Sequence, residues 1–160
     1  MATEQRPEIG VRRATSGDLE TLVEFNAAMA WETEGKALDP ARLRAGVAAV
    51  LDQDARGFYL VAELSGRVAG QLLVTTEWSD WRNGDFWWIQ SVYVGPSHRR
   101  LGVYRTLHSH VQAEARRRDD VCGLRLYVDR DNHVARQVYA GLGMHESRYD
   151  MLEIDFVLEH

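Results

Sequence analysis

The chain predicts an α/β fold built on a single mixed, mostly antiparallel sheet flanked by helices. Three observations carry that expectation. Strand-like runs rich in β-branched and aromatic residues, Phe58 to Leu64, Val68 to Trp78 and Phe86 to Val94, follow one another with turn residues between them. Segments of helical period lie on both sides, Leu19 to Met29 and Leu43 to Leu51 before them and Leu101 to Ala115 after. With 160 residues, 45% hydrophobic and 27% charged, the chain is long enough to bury one core, and no repeat, linker or low-complexity block divides it. Residues 1–157 are therefore expected to form a single domain. Leu158-Glu159-His160 reads as the start of a cloning tag and is set apart from functional reasoning.

Each element has a local reason. Ile9 to Ala14 is a short first strand, and Thr15-Ser-Gly-Asp18 resembles a capping box before Leu19, Leu22, Val23, Asn26 and Met29 at helical spacing. Asp39-Pro40 opens a second helix, because proline is tolerated at the first helical position. Between the two lies Trp31 to Leu38, polar and without period. The strands Phe58–Leu64 and Val68–Trp78 join through Ser65-Gly66-Arg67. Asn83-Gly84 then signals a two-residue hairpin, since both residues tolerate positive φ. With that loop Arg82 pairs with Asp85, and counting inward sets Trp78 opposite Ile89, Glu77 opposite Gln90 and Thr75 opposite Val92. Gln90, Val92 and Val94 would share one face of their strand, and Glu77 would share it with them. Leu101, Tyr104, Leu107, His108, Val111 and Ala115 form an amphipathic helix ending in Arg116-Arg-Arg118, cations that suit a helix C-terminus. Gly123 to Val128 is a further strand. Asn132 to Ala140 is a short helix capped by Asn132 or Asp131 and stopped at Gly141-Leu-Gly143, and Met144 to Phe156 closes as one or two strands.

Composition narrows the function. A net charge of −5 and a pI of about 5.7 argue against broad attachment to nucleic acid, while a local basic patch still suits a small polyanion. The lone Cys122 excludes an internal disulfide and fits a reducing, cytoplasmic setting. It reads as a small residue at a strand start rather than a nucleophile, with no histidine placed to activate it. No apolar run reaches membrane-spanning length, Met1 to Glu8 is too polar for a signal peptide, and no spacing suggests a metal site.

The most informative stretch is Ser91-Val-Tyr-Val-Gly-Pro-Ser-His-Arg-Arg-Leu-Gly-Val-Tyr104. A strand, a basic turn and a helix start in that order make an anion site. The first backbone N–H groups of a helix lack intrahelical acceptors, and the helix dipole adds positive character there. Arg99 and Arg100 contribute guanidinium donors suited to phosphate. The second constellation is Asn132-His-Val-Ala135-Arg-Gln-Val-Tyr139-Ala-Gly-Leu-Gly143-Met144, preceded by a strand.

Together these two stretches resemble the GNAT superfamily of acyl-CoA-dependent N-acyltransferases. Asn132, Ala135, Tyr139 and Gly143-Met144 resemble its C-terminal motif, and Arg99, Gly102 and Val103 resemble its pyrophosphate loop. Tyr104 stands where a small residue is usual, and it also falls on the apolar stripe of its helix. The order of elements matches from Ile9 to Phe156. The resemblance implies acetyl transfer from acetyl-CoA, as cosubstrate, to a primary amine of a small molecule or protein. The pyrophosphate would lie against Arg99, Arg100 and the amides of Leu101, Gly102, Val103 and Tyr104. The pantetheine arm would run beside main-chain groups of Val92 and Val94, with Asn132 reaching it as well as capping its helix. One such N–H would polarise the thioester carbonyl and stabilise the oxyanion of a tetrahedral intermediate. A non-catalytic acyl-CoA-binding or sensing domain is the alternative.

Tyr139 takes the family role of donor to the departing thiolate. A phenol near pKa 10 is a weaker acid than a thiol near 8.5, so full proton transfer is uphill by about 2 kcal/mol. Tyr139 is thus first a thiolate stabiliser and second a general acid. Many members of the superfamily carry a carboxylate base on the strand before the loop. Here the residues facing the cleft are Trp88 and Gln90, neither of which is a base, and both are expected to touch the acceptor. The hairpin register offers Glu77 instead, a glutamate among Trp78, Trp87 and Trp88 whose pKa desolvation would raise. A solvent-exposed hairpin-end glutamate is the plainer reading. Glu32 and Glu34 are alternative bases or ligands of the acceptor ammonium, and ordered water is a third route for the proton. The surplus of aromatic residues at Trp78, Trp81, Phe86, Trp87 and Trp88 suits an acceptor pocket or a homodimer interface.

Overall fold

The structure, a computed structural model, describes residues 7–158. Met1 to Arg6, most of the segment judged against a signal peptide, and Glu159-His160 of the expected tag lie outside the described residues. Chain contacts gather into two compact units, one ending at Tyr127 and one beginning at Val128.

The first unit carries a five-stranded sheet in the order β1-β2-β3-β4-β5: β1 Ile9–Arg13, β2 Phe58–Leu64, β3 Arg67–Ser79, β4 Gly84–Val94 and β5 Val121–Leu126. β1 to β4 are antiparallel neighbours and β5 runs parallel to β4. Helix α1, Leu19–Glu34, and helix α2, Pro40–Asp52, come between β1 and β2, and helix α3, Val103–Arg116, links β4 to β5. That is the mixed, mostly antiparallel α/β sheet the sequence predicts.

Two apolar layers hold it. Val103, Leu107, Val111 and Ala115 of α3 meet Leu60, Ala62, Leu72, Val74, Trp87 and Ile89 on one face of the sheet. On the other face Leu22 of α1 and Val47 of α2 meet Tyr59 and Val61. Gly70 makes the first contact possible, because a Cβ there would stand 2.9 Å from Val103 Cγ1 and 3.0 Å from the Tyr93 carbonyl oxygen. Capping follows expectation. The Asp39 carboxylate accepts from the Arg42 N–H at 2.7 Å, and Asp18 accepts from the Thr15 N–H at 2.7 Å while pairing with Arg12.

Four expectations are corrected. Helix α1 runs on through Trp31 to Glu34 and stops only at Gly35, whose φ of 63° ends it in the left-handed region. Helix α3 begins at Val103 rather than near Leu101, because Gly102 at φ 86° cannot be a helical residue. The hairpin does not close on Asn83-Gly84. Ser79 pairs with Gly84, leaving residues 80–83 as the loop, so Trp78 faces Asp85, Glu77 faces Phe86 and Thr75 faces Trp88. The pairing of Ser79 with Gly84 keeps Gly84 within the strand, while Asp85 donates to the Asp120 carbonyl at 2.8 Å and ties the start of β4 to the chain before β5. Lastly, β4 does not keep one alternation to its end. Leu73 faces Gln90 but Gln71 faces Tyr93, with a bulge where Ser91 takes φ 48°. The extra residue turns Val92 and Val94 to the α3 face and leaves Gln90 and Tyr93 on the other.

The second unit holds helix α4, His133–Gly141, with Asn132 as its N-cap and Gly143 at φ 89° beyond its end. Asn132 Oδ1 accepts from the Ala135 N–H at 3.0 Å. Among the described residues no strand follows, so the expected closing strands between Met144 and Phe156 are absent. A strand needs an edge to pair with, and this unit contains none. Leu152, Ile154 and Phe156 are accordingly exposed.

Candidate active site

The site is built on the lower half of β4. The ladder with β5 runs from Asp85↔Val121 to Ile89↔Leu126 and ends there, while the ladder with β3 continues to Val94. Residues 90–94 therefore have a strand on one edge only, and the main-chain groups of that segment on the β5 side are left for another partner. Val92 and Val94, expected beside the pantetheine arm, lie in this segment and are half-buried.

Beyond β4 the chain turns through Gly95, the short 3-10 turn Pro96–His98, and Arg99 to Gly102. Arg100 adopts φ 65° and Gly102 φ 86°, two left-handed residues that swing the chain into α3. Gly102 brings no side-chain cap to the helix it opens. A helix start of this kind presents the N–H groups of its first turn outward with the positive end of the dipole. The Arg100 side chain is exposed, with no hydrogen bond or ion pair among the described residues. Arg99 is differently placed. Its Nε donates to the Val94 carbonyl at 3.0 Å and its Nη2 to Glu32 Oε2 at 2.7 Å. Leu101 is exposed and Val103 buried, while the half-buried Tyr104 places its hydroxyl 3.1 Å from His108 Nδ1.

The face of β3 and β4 turned toward α1 collects the acceptor candidates. Because the bulge lies beyond Gln90 and the register error is an even number of residues, Glu77 still shares a face with Trp88 and Gln90. It is four residue pairs further from Gln90 than expected, however, and opposite Phe86. The aromatic enclosure foreseen for it does not form. Its side chain is 50% exposed and accepts from Arg125 Nη1 at 2.6 Å. Arg125 lies over the Phe86 ring at 3.5 Å, and the same ring packs so close to Gly123 that a Cβ there would stand 2.8 Å from it. Gln90 hydrogen-bonds Thr75, and Trp88 stacks on Tyr127 with ring centroids 4.4 Å apart. Trp78 and Trp81 are exposed at the hairpin end, whereas Trp87 and Phe86 are buried.

Neither helix-end glutamate is free. Glu32 accepts from the Tyr93 hydroxyl at 2.8 Å as well as from Arg99, and these donors, Arg99 first, hold its carboxyl below the usual carboxylate range. Burial, with Glu32 as neighbour, pushes the Tyr93 phenol up. Glu34 pairs with Lys36 at 3.1 Å. In the second unit Tyr139 is half-buried on α4, and its carbonyl accepts from the Leu142 and Met144 N–H groups. Among the described residues no cluster of His, Cys, Asp and Glu side chains is placed to hold a metal, and no helix is long and apolar enough to cross a membrane.

With this geometry in place, comparison decides the family. The model of the acetyltransferase (GNAT) family matches residues 22–144. The chain belongs to the GNAT acetyltransferase family. A possible acetyltransferase from Clostridium difficile 630 is 41% identical, with 94% of this chain and 99% of that one covered and a TM-score of 0.87. A predicted acetyltransferase from Clostridium acetobutylicum solved with acetyl-CoA shares the fold at 18% identity, 96% and 99% coverage and a TM-score of 0.74. An aminoglycoside N-acetyltransferase in complex with CoA shares it at 15% identity, 96% and 99% coverage and a TM-score of 0.76. Among proteins with curated descriptions, none matches.

Three residues of this GNAT site escaped the sequence. Tyr93 was hidden by the bulge, because strict alternation turns it away from Gln90. Arg125 lies on β5 and Tyr127 directly beyond its end, and only the parallel pairing of β5 with β4 brings them beside Phe86 and Trp88. No local signal marks a parallel register of that kind.

Proposed function

We propose that the protein transfers the acetyl group of acetyl-CoA to a primary amine of a small molecule or protein. The observation that carries this reading is the single-sided pairing of residues 90–94 directly before a basic, glycine-opened helix start. The pyrophosphate lies against the amides of Leu101 to Tyr104 with Arg100 as its free guanidinium. The thioester lies along β4, where an N–H from Val92 or Val94 stabilises the oxyanion, a contribution of roughly 3–4 kcal/mol in comparable sites. The amine nitrogen attacks the carbonyl carbon, the C–S bond breaks, and the thiolate leaves with a hydrogen bond from Tyr139. Asn132 serves both of its expected roles, because the cap occupies Oδ1 and leaves the Nδ2 donors for the pantetheine arm.

The attacking amine must first lose a proton. Trp88 and Gln90 shape the acceptor end, and the carboxylate that shares their face is Glu77. Glu77 shares that position with Arg125, whose guanidinium donates to it, and takes the proton on to solvent. A thiol-release screen of acetyl-CoA against polyamines, amino acids, aminoglycosides and peptides tests the transfer and names the acceptor. Tight acetyl-CoA binding without turnover on any amine would instead support a binding or sensing domain. With an acceptor in hand, E77Q is expected to lower kcat/KM by about tenfold or more while leaving acetyl-CoA affinity in place. An unchanged rate would assign the proton to water.

A further inference from the structure

Three elements of the first unit converge on one carboxylate. Glu32 stands in the last turn of α1, Tyr93 and Val94 end β4, and Arg99 opens the cofactor loop. The Tyr93 hydroxyl donates to Glu32 Oε1 at 2.8 Å and Arg99 Nη2 donates to Oε2 at 2.7 Å. Arg99 Nε closes the ring of contacts on the Val94 carbonyl at 3.0 Å, with its guanidinium 5.5 Å from the centre of the Tyr93 ring. Phe25, also on α1, packs against that ring at 5.1 Å between centroids. Both oxygens of Glu32 are therefore engaged inside the protein, and so are two of the donor nitrogens of Arg99. A carboxylate bound in this way is not a ready ligand for an acceptor ammonium, and a guanidinium bound in this way is not a freely swinging phosphate ligand.

We infer that Glu32 is a positioning residue for the cofactor loop: through Arg99 and Tyr93 it pins the single-sided end of β4 to α1 and thereby sets the affinity for acetyl-CoA. The segment it pins lacks β5 as a neighbour, so nothing else in the sheet fixes that edge. Arg100, next in sequence and without a partner among the described residues, is left to meet the phosphates. Pre-organising a loop in its binding geometry raises affinity by removing the ordering cost at the moment of binding. The inference rests on residues 99–104 being the pyrophosphate loop.

The test is acetyl-CoA titration of the full chain by calorimetry, paired with KM measurements for both substrates. E32Q keeps the size of the side chain and a partner for Tyr93 but loses the charge that holds Arg99. Its Kd for acetyl-CoA is expected to rise about three- to fivefold, the upper range for a partly exposed ion pair. Y93F, which removes only the Oε1 contact, should move it in the same direction by less. In an R99Q background E32Q should add under about 1.5-fold, because the contact it breaks is already gone. The change should fall on the KM for acetyl-CoA and not on that for the amine, a split that general loosening of the fold would not give. A raised amine KM with unchanged acetyl-CoA Kd, an additive effect on R99Q, or tighter acetyl-CoA binding by E32Q would each overturn the inference. R100Q separates the two levels. If R100Q weakens acetyl-CoA binding and E32Q does not, only the positioning role falls. If R100Q also leaves the Kd unchanged, the loop reading itself falls and takes the inference with it.

Discussion

From Asp85 to Ile89 β4 has a paired strand on each edge, whereas from Gln90 to Val94 it has only β3. The first half buries Phe86, Trp87 and Ile89, and its main chain has nothing left to offer a ligand. The second half is bulged at Ser91, keeps Gln90, Val92 and Val94 only half-buried, and runs straight into the cofactor loop. One strand thus divides its work. Stability comes where the ladder is complete, and binding becomes possible where it is not, because an unpaired main-chain edge is what a thioester and its amide-bearing arm require.

Substitutions in the two halves should separate stability from donor affinity, and Trp87 gives the largest expected effect. It is 4% exposed and meets the Phe58 ring edge-on at 5.2 Å. Urea unfolding of W87A is expected to show a loss of about 3–5 kcal/mol, the usual cost of truncating a buried aromatic. At a temperature where the variant remains folded, its acetyl-CoA Kd should match that of the parent. A large change in Kd would show that the two halves are not separable.

A matched pair of glycine substitutions sharpens the contrast. Gly70 faces Val94 in the single-sided half, and a Cβ there meets main chain, the Tyr93 oxygen at 3.0 Å, as well as Val103 at 2.9 Å. Gly123 faces Phe86 in the doubly paired half, and a Cβ there meets only the ring, at 2.8 Å. Both are overpacking changes costing about 1–3 kcal/mol, with G70A at the upper end because main chain yields less than a ring. G70A displaces the first residue of α3 and should also raise the KM for acetyl-CoA. G123A should leave that KM alone. Thermal melts and steady-state kinetics on the two variants read both quantities, and equal effects on acetyl-CoA would remove the distinction.

The same division explains what could be read from the sequence. The elements themselves were legible, because capping residues such as Asp39, turn glycines such as Gly35 and apolar spacing act locally. The cofactor loop was legible for the same reason, as a contiguous stretch from Ser91 to Tyr104. Register was not. Asn83-Gly84 is a strong hairpin signal, yet Gly84 pairs with Ser79 inside the ladder and Asn83, at φ 47°, ends a four-residue loop instead. The bulge at Ser91 left no mark in the alternation of Gln90, Val92 and Val94, and so Tyr93 was hidden from the site. Read along the chain alone, Glu32 faces an acceptor ammonium and Arg99 a phosphate, not each other. Their pairing depends on how the end of α1 packs against the end of β4, which no spacing along the chain encodes.

The smallest expected effect lies in the helix that the single-sided half feeds. His108 is 1% exposed on α3, one turn beyond Tyr104. Its Nδ1 meets the Tyr104 hydroxyl, its Nε2 is buried without a partner among the described residues, and burial holds its pKa below the ordinary histidine value. A folded-state pKa lowered in this way means that the unfolded chain takes up the proton first. The stability contributed by the neutral imidazole is therefore complete above the unfolded value of about 6.5 and declines as pH falls below it, by at most about 1.4 kcal/mol per pH unit. Asp18, held low chiefly by Arg12, acts in a separate window, since its contribution is lost only as pH falls below the ordinary carboxylate range. H108L removes the orphaned nitrogen with a side chain suited to the core and should lie within about 1 kcal/mol of the parent at pH 8, because an unpartnered polar atom contributes little. Urea melts of both proteins from pH 8 to 5.5 should then diverge, the parent losing stability relative to H108L as the imidazole is forced to charge. Parallel curves over that range would mean that His108 binds its proton alike in the folded and unfolded chain, so that its burial on α3 does not disfavour the charged form.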